Sequence, residues 1–161
     1  MAFTVSIKFN KRFKTKCPYD KVFDALADVP YSVDHFPKVE ELVDMGDEVY
    51  LWKMEKIGVA KFHIQTSYAS QYTWDRDEGW IAWEPIEGEG NALVSGKWKL
   101  KSLDANTTQL AFNTEGEIDL PLPSLAKSLV SPLVVKEFEG LLEQYFENLQ
   151  ETFAELAADE D

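Results

Sequence analysis

Apolar and polar positions alternate with a period of two through most of this chain. Phe3, Val5, Ile7, Phe9 and Phe13 share one parity with Lys11, while Thr4, Ser6, Lys8, Asn10, Arg12, Lys14 and Lys16 take the other. Such a pattern predicts a long strand with one dry and one wet face. Cys17-Pro18 ends it, and residues 18–29 predict a short helix with Pro at its start and Val22, Phe23 and Leu26 as its apolar side. Pro30 and Pro37 bracket a second short helix, Tyr31 to Phe36. Strands follow. Val39 to Val43 leads through a turn at Met45–Glu48 into Val49–Lys56, with Tyr50, Trp52 and Met54 in phase. Gly58 opens a long run, Val59 to Trp74, in which Ala60, Phe62, Ile64, Thr66, Tyr68, Ser70 and Tyr72 alternate with polar residues. A hairpin loop at Asp75–Gly79 precedes Trp80–Ile86, where Ile81 and Trp83 are in phase. Beyond a turn at Gly88, Gly90 and Asn91, Leu93–Leu103 places Val94, Gly96, Trp98 and Leu100 on one face. The last strand is marked by Leu110, Phe112, Thr114, Gly116 and Ile118, and Pro121 and Pro123 close the sheet region.

The period then changes. Phe138, Leu142, Tyr145, Leu149, Phe153 and Leu156 recur at helical spacing, and Leu141 and Phe146 widen the stripe. Ser131 and Pro132 read as N-cap and first helical residue, with a helical turn or two before them. A helix over 132–156 is about 37 Å long, enough to cross a small domain. Its other face carries Glu139, Glu143, Glu147, Glu151 and Glu155 in an unbroken row. Each like-charge pair at that spacing costs about 0.2–0.5 kcal/mol, whereas burying a large apolar side chain gains about 1.5–3 kcal/mol. The helix therefore needs an apolar surface to lie on, and the alternating strands offer one dry sheet face in need of a cover. A coiled-coil partner is the rival cover, but the stripe is short and the chain upstream is rich in strands.

Composition narrows the class. The chain has 161 residues, 45% of them hydrophobic, a size and balance that suit one folded domain over 1–161, with 157–161 as an acidic, disordered tail. No apolar run is long enough for a transmembrane helix. The N-terminus alternates and carries charges where a signal peptide would be apolar. A single cysteine, Cys17, excludes an intramolecular disulfide, and a cytoplasmic location is the expectation. Net charge is −13, which argues against a nucleic-acid partner. The charge is unevenly spread: residues 1–16 contain only basic charges, and every charged residue after Lys136 is acidic. These two ends allow a transient membrane or protein contact.

The segments Pro18–Val29, Asp34–Val43, Gly96–Leu100 and Asn106–Phe112 together make the chain resemble the START-like (SRPBCC) superfamily, nearest in look to its polyketide cyclase/dehydrase and coenzyme Q-binding members. The resemblance covers nearly the whole chain and rests on scaffold segments. It implies an α+β helix-grip fold: a curved antiparallel sheet of six to seven strands wrapped round a long C-terminal helix, with a ligand cavity between them. Function is not implied, because enzymes, carriers and regulators share the frame.

In this register the cavity-facing set is Tyr50, Trp52, Phe62, Ile64, Thr66, Tyr68, Tyr72, Trp83, Trp98, Phe112, Phe138, Leu142 and Tyr145. It is aromatic with a few hydroxyls, as apolar ligand pockets are. The plainer reading is that these side chains fill one another's space as a core. Buried Tyr and Trp need hydrogen-bond partners, which a pocket supplies more readily than a dry core. His35, on the second short helix, and His63, on a wet strand face, read as surface residues, too far apart in sequence to suggest a metal site. Cys17 has no histidine in sequence reach to activate it. Arg12 and Arg76 point to the wet face and a loop. No phosphate loop or in-facing carboxylate pair stands out. The expectation is non-catalytic binding, transport or sensing of a small hydrophobic ligand (lipid, quinone, isoprenoid or polyketide), without cofactor or metal. The alternatives are a polyketide cyclase/dehydrase, which would have to use Tyr50, Tyr68, Tyr72 or Tyr145 as acid or base, and a protein-interaction module.

Overall fold

In a computed structural model, residues 3–59 and 61–158 are described, with no side chain at Val59. The predicted in-phase Ala60 and the tail residues Asp159, Glu160 and Asp161 lie outside them. In chain order the elements are β1 (Phe3–Thr15), α1 (Tyr19–Ala27), α2 (Val29–Val33), β2 (Val39–Gly46), β3 (Val49–Met54), β4 (Ile57–Val59), β5 (Phe62–Ile64), β6 (Ser67–Asp75), β7 (Trp80–Gly90), β8 (Ala92–Asp104), β9 (Thr107–Leu120) and α3 (Lys127–Ala158), the last preceded by a 3-10 turn at Ser124–Ala126. Seven strands form one antiparallel sheet in the order β1-β9-β8-β7-β6-β3-β2; β4 and β5 pair separately.

The long first strand pairs along its whole length with β9, from Phe3 opposite Leu120 to Thr15 opposite Thr108. Its alternation holds: Phe3, Val5 and Ile7 are buried and the residues between them exposed. On the wet face Lys8 stands opposite Glu115 with 3.5 Å between their charged groups. Lys11, on the dry parity near the strand's open end, reaches the Glu143 carboxylate of α3 at 2.8 Å. One member of the glutamate row is thereby neutralised by the strand beneath it.

Four expectations about elements are corrected. The predicted strand Val59–Trp74 is broken between Val59 and Phe62, which stand opposite each other in the antiparallel β4–β5 pair. It is broken again at Gln65 and Thr66, because backbone groups there pair outside a continuous ladder: Met54 N–H donates to the Thr66 carbonyl at 3.0 Å, and the Asn91 side-chain amide donates to the Gln65 carbonyl at 3.0 Å. Gly90 closes the same junction; at φ +77° a Cβ on it would run into the Ser67 backbone. Ser131 and Pro132 do not start the last helix. α3 runs through both, and the missing N–H of Pro132 removes one rung of its ladder. The Ser131 hydroxyl is buried without a partner. At the other end the helix includes Ala157 and Ala158, expected in the tail. The second short helix begins earlier than expected, at Val29, where the Asp28 carboxylate accepts from Tyr31 N–H and Pro30 fits the first turn.

One face of α3 lies on the dry sheet face. Val130, Val134, Leu141, Leu142, Tyr145, Phe146, Leu149 and Phe153 are buried, and Phe138 and Leu156 half-buried. Phe146 is the hub: Phe9, Phe13, Trp98, Phe112 and Tyr145 all place their rings within 6.0 Å of it. Among the described residues no helix is long and apolar enough to cross a membrane.

Candidate ligand cavity

Away from Phe146, toward α2, the packing between sheet and helix loosens. A cavity opens there, in which the space open to the centres of water molecules is about 50 Å³. Because about 10–15 Å³ of such space holds one water, it has room for a few. The sheet supplies Trp52, Tyr68, Tyr72, Ile81, Trp83, Val94, Trp98, Phe112 and Thr114; α3 supplies Phe138, Leu142 and Tyr145. The remaining wall comes from α1 and the α2 region: Leu26, Val29, Ser32, Val33 and Phe36.

Strand periodicity explains the sheet side. Trp52, Tyr68 and Tyr72 occupy alternate inward positions on paired strands, with Trp52 opposite Tyr68 in register and their rings near parallel, 5.4 Å apart and 18° from coplanar. Gly96, opposite Trp83, makes room for that indole; a Cβ there would meet the Trp83 ring and lie 2.7 Å from the Asn113 carbonyl.

Nine of the thirteen residues expected from the sequence line this cavity: Trp52, Tyr68, Tyr72, Trp83, Trp98, Phe112, Phe138, Leu142 and Tyr145. Ile64 and Thr66 instead line a smaller neighbouring void of about 20 Å³, which Phe138 also borders. Lys38, Glu137 and Leu141 line both that void and an open groove beside Gly58 and Leu133, and the Lys38 ammonium meets the Glu137 carboxylate there at 3.1 Å. Tyr50 is buried but borders a separate groove with Pro30, Phe36 and Leu42. Phe62 sits half-buried in the β4–β5 pair and lines none of these spaces. Sequence reasoning missed the α1–α2 wall, because a five-residue helix is too short to show periodicity and was read as surface. The signal available was the spacing of Val29, Val33 and Phe36.

The hydroxyls are mostly committed. Ser32 Oγ and the Tyr145 hydroxyl are 2.6 Å apart. Trp52 Nε1 donates to the Tyr72 hydroxyl at 3.1 Å, and Thr114 Oγ1 donates to the Ser95 carbonyl at 2.8 Å. Burial pushes the Tyr145 phenol up to about 12, against the opposing effect of its contacts with Ser32 and Trp98. Burial likewise raises Tyr72, and it raises Tyr68 well above the ordinary phenol value. Among the described residues no Asp, Glu, Lys, Arg or His lines the cavity.

The remaining chemical candidates lie elsewhere. His35 is half-buried, not a free surface residue: its ring meets Thr152 Oγ1 at 2.6 Å and the Tyr31 carbonyl at 2.9 Å, pinning α2 to α3. His63 is exposed. Cys17 is buried, its carbonyl accepting from Thr108 Oγ1 at 2.8 Å. Arg76 pairs with Asp20 and Asp24 and lies 4.6 Å over the Phe23 ring, outside the cavity. Among the described residues no group of three or more His, Cys, Asp or Glu is placed to hold a metal.

Comparison with known proteins places this architecture. No family model matches the sequence, and no curated protein matches it. Solved structures do. The Zhui aromatase/cyclase from Streptomyces sp. R1128 superposes with a TM-score of 0.62 at 21% identity, covering 95% of this chain and 94% of that one. A START superfamily protein from Mycobacterium smegmatis matches at a TM-score of 0.66 and 12% identity, over 92% of this chain and 98% of that one. The fold is START-like. A third neighbour is norcoclaurine synthase from Thalictrum flavum, solved with dopamine and hydroxybenzaldehyde, at a TM-score of 0.62, 13% identity and coverage of 94% and 88%. At these identities the START-like likeness concerns the helix-grip frame: the seven-stranded antiparallel sheet, the long C-terminal helix and the two short helices after the first strand.

Proposed function

We propose that the protein binds a small hydrophobic molecule between the sheet and α3 and carries or senses it without converting it. The observation that supports this most is the cavity wall: aromatic on three sides, with hydroxyls as its only side-chain oxygens and no ionisable carboxylate, imidazole or cation. Hydrolysis, cyclisation and dehydration all need a group that gives or takes a proton near neutral pH. The three lining tyrosines are shifted the wrong way for either task, since a phenol raised above its usual value is a weaker acid and is not ionised to act as base. Two structural neighbours carry enzyme names, so the cyclase alternative keeps its place as an outcome of the test. The cavity is narrow, and a ligand larger than a few waters enters only as side chains such as Phe138 and Leu142 shift.

The test is extraction of small molecules from gently purified protein, read by mass spectrometry, beside the Leu142→Trp variant. Leu142 is 3% exposed and lines the cavity, so an indole there would occupy ligand space. The variant should lose the bound molecule while melting close to wild type. If it fails to fold, and lipids, quinones and polyphenols leave wild-type tryptophan fluorescence unchanged, the region is plain core and the proposal falls; overpacking a true core costs about 1–3 kcal/mol. A ligand recovered in chemically altered form replaces carriage with catalysis.

A further inference from the structure

Among the oxygens of the cavity wall, one is uncommitted. Ser32, Tyr72, Thr114 and Tyr145 each have a partner within the protein. Tyr68 has none: its ring stacks on Trp52, and its hydroxyl meets no donor or acceptor among the described residues. The residue is only 5% exposed. Yet Tyr68 lines the cavity, which puts its side chain against open space. A phenol hydroxyl can donate one hydrogen bond and accept others, so an unpaired one at a cavity wall can pair with an atom of a bound molecule. The Trp83 indole N–H, on the neighbouring strand, likewise has no acceptor among the described residues.

We infer that Tyr68 is a specificity-determining residue and that the ligand is an uncharged, planar molecule carrying an oxygen that accepts a hydrogen bond from its hydroxyl. This rests on the binding role proposed above. Three features of the wall lead to it. Planarity follows from the near-parallel Trp52 and Tyr68 rings and the tilted faces of Trp83 and Phe112, 5.7 Å apart, since flat rings gain most from offset stacking. Neutrality follows from the absence of any charged lining group, because a buried ion without a partner is strongly disfavoured. An acceptor follows because Tyr68 keeps its proton at neutral pH and, with Trp83, presents donors that nothing in the protein satisfies.

Calorimetric titration of wild type and Tyr68→Phe tests it with two matched sets of probes: acetophenone, ethylbenzene and benzoate, and 2-acetylnaphthalene, 2-ethylnaphthalene and 2-naphthoate. Members of a set share ring and approximate size and differ in the acceptor oxygen or the charge. Wild type should bind the ketone about tenfold more tightly than the hydrocarbon, the reach of one buried hydrogen bond, and should not bind the carboxylate. In Tyr68→Phe the ketone should weaken to the level of the hydrocarbon, whose affinity stays unchanged. Thermal unfolding should show the variant as stable as wild type, because the deleted oxygen has no partner in the protein. Equal binding of ketone and hydrocarbon by wild type, or an undiminished ketone preference in Tyr68→Phe, overturns the assignment and leaves the binding role standing. Failure of all six probes overturns the assignment, and the binding role is then decided by the extraction and Leu142→Trp experiments.

Discussion

The pair Ser32–Tyr145 joins the shortest helix to the longest one through two buried hydroxyls. Removing either oxygen leaves the other unpaired. Ser32→Ala and Tyr145→Phe should each cost about 1–3 kcal/mol, with the double variant losing clearly less than the sum, as urea unfolding would measure. The raised phenols give a second expectation. The unfolded chain releases its tyrosine protons near pH 10, whereas folded Tyr145 holds its proton to about 12, and Tyr68 and Tyr72 also hold theirs above the ordinary value. Through that window the unfolded state binds fewer protons, so stability declines as pH rises, while below about pH 10 these groups contribute no pH dependence. Phenolate absorbance of the buried set should therefore appear together with loss of the folded circular dichroism signal, not before it. At this scale the sequence was informative where side chains sit in long strands: parity alone put Trp52, Tyr68, Tyr72, Trp83, Trp98 and Phe112 on the cavity side. It was uninformative about which hydroxyls find partners, since Ser32 and Tyr145 are far apart in the chain and no local pattern links them.

Among elements, α3 depends most on its surroundings. Of the glutamate row, Glu143 is neutralised from outside, by Lys11 of β1. A peptide of residues 127–158 should accordingly be largely unfolded at neutral pH by circular dichroism, and a chain ending before α3 should lose cooperative unfolding; a sharp melt from that truncated chain would remove α3 from the centre of the fold. The Lys8–Glu115 pair, by contrast, is largely exposed and adds only about 0–1 kcal/mol. Alternation and helical spacing were enough to read the seven sheet strands and the C-terminal helix, because one buried face imposes its period on each. Ser131-Pro132 misled because proline is favoured at a first helical turn, yet a long helix held by tertiary contacts on both sides tolerates one missing rung. The break at Gln65–Thr66 was hidden because Asn91, the residue that captures the freed backbone, is distant in sequence.

For the molecule as a whole, the interior and the surface meet along one edge. Phe138 borders the cavity and the smaller void, and Lys38 and Glu137 border that void and the outer groove. Above the groove, Leu125, Leu129 and Leu133 are exposed at the start of the last helical region, just where Pro132 interrupts the ladder. Among residues 127–131 only Val130 is a buried apolar side chain, so few core contacts hold the turns before Pro132. In the language of native-state hydrogen exchange, those turns should open as a separate unit of low free energy, set against a slow unit centred on Phe146. Amides of residues 127–131 should exchange orders of magnitude faster than those of residues 141–153, and Pro132→Ala, by restoring a rung, should slow that exchange and the uptake of ligand with it. If the proposed ligand enters at this end, the proline inside α3 would set how often, rather than how widely, the interior is exposed.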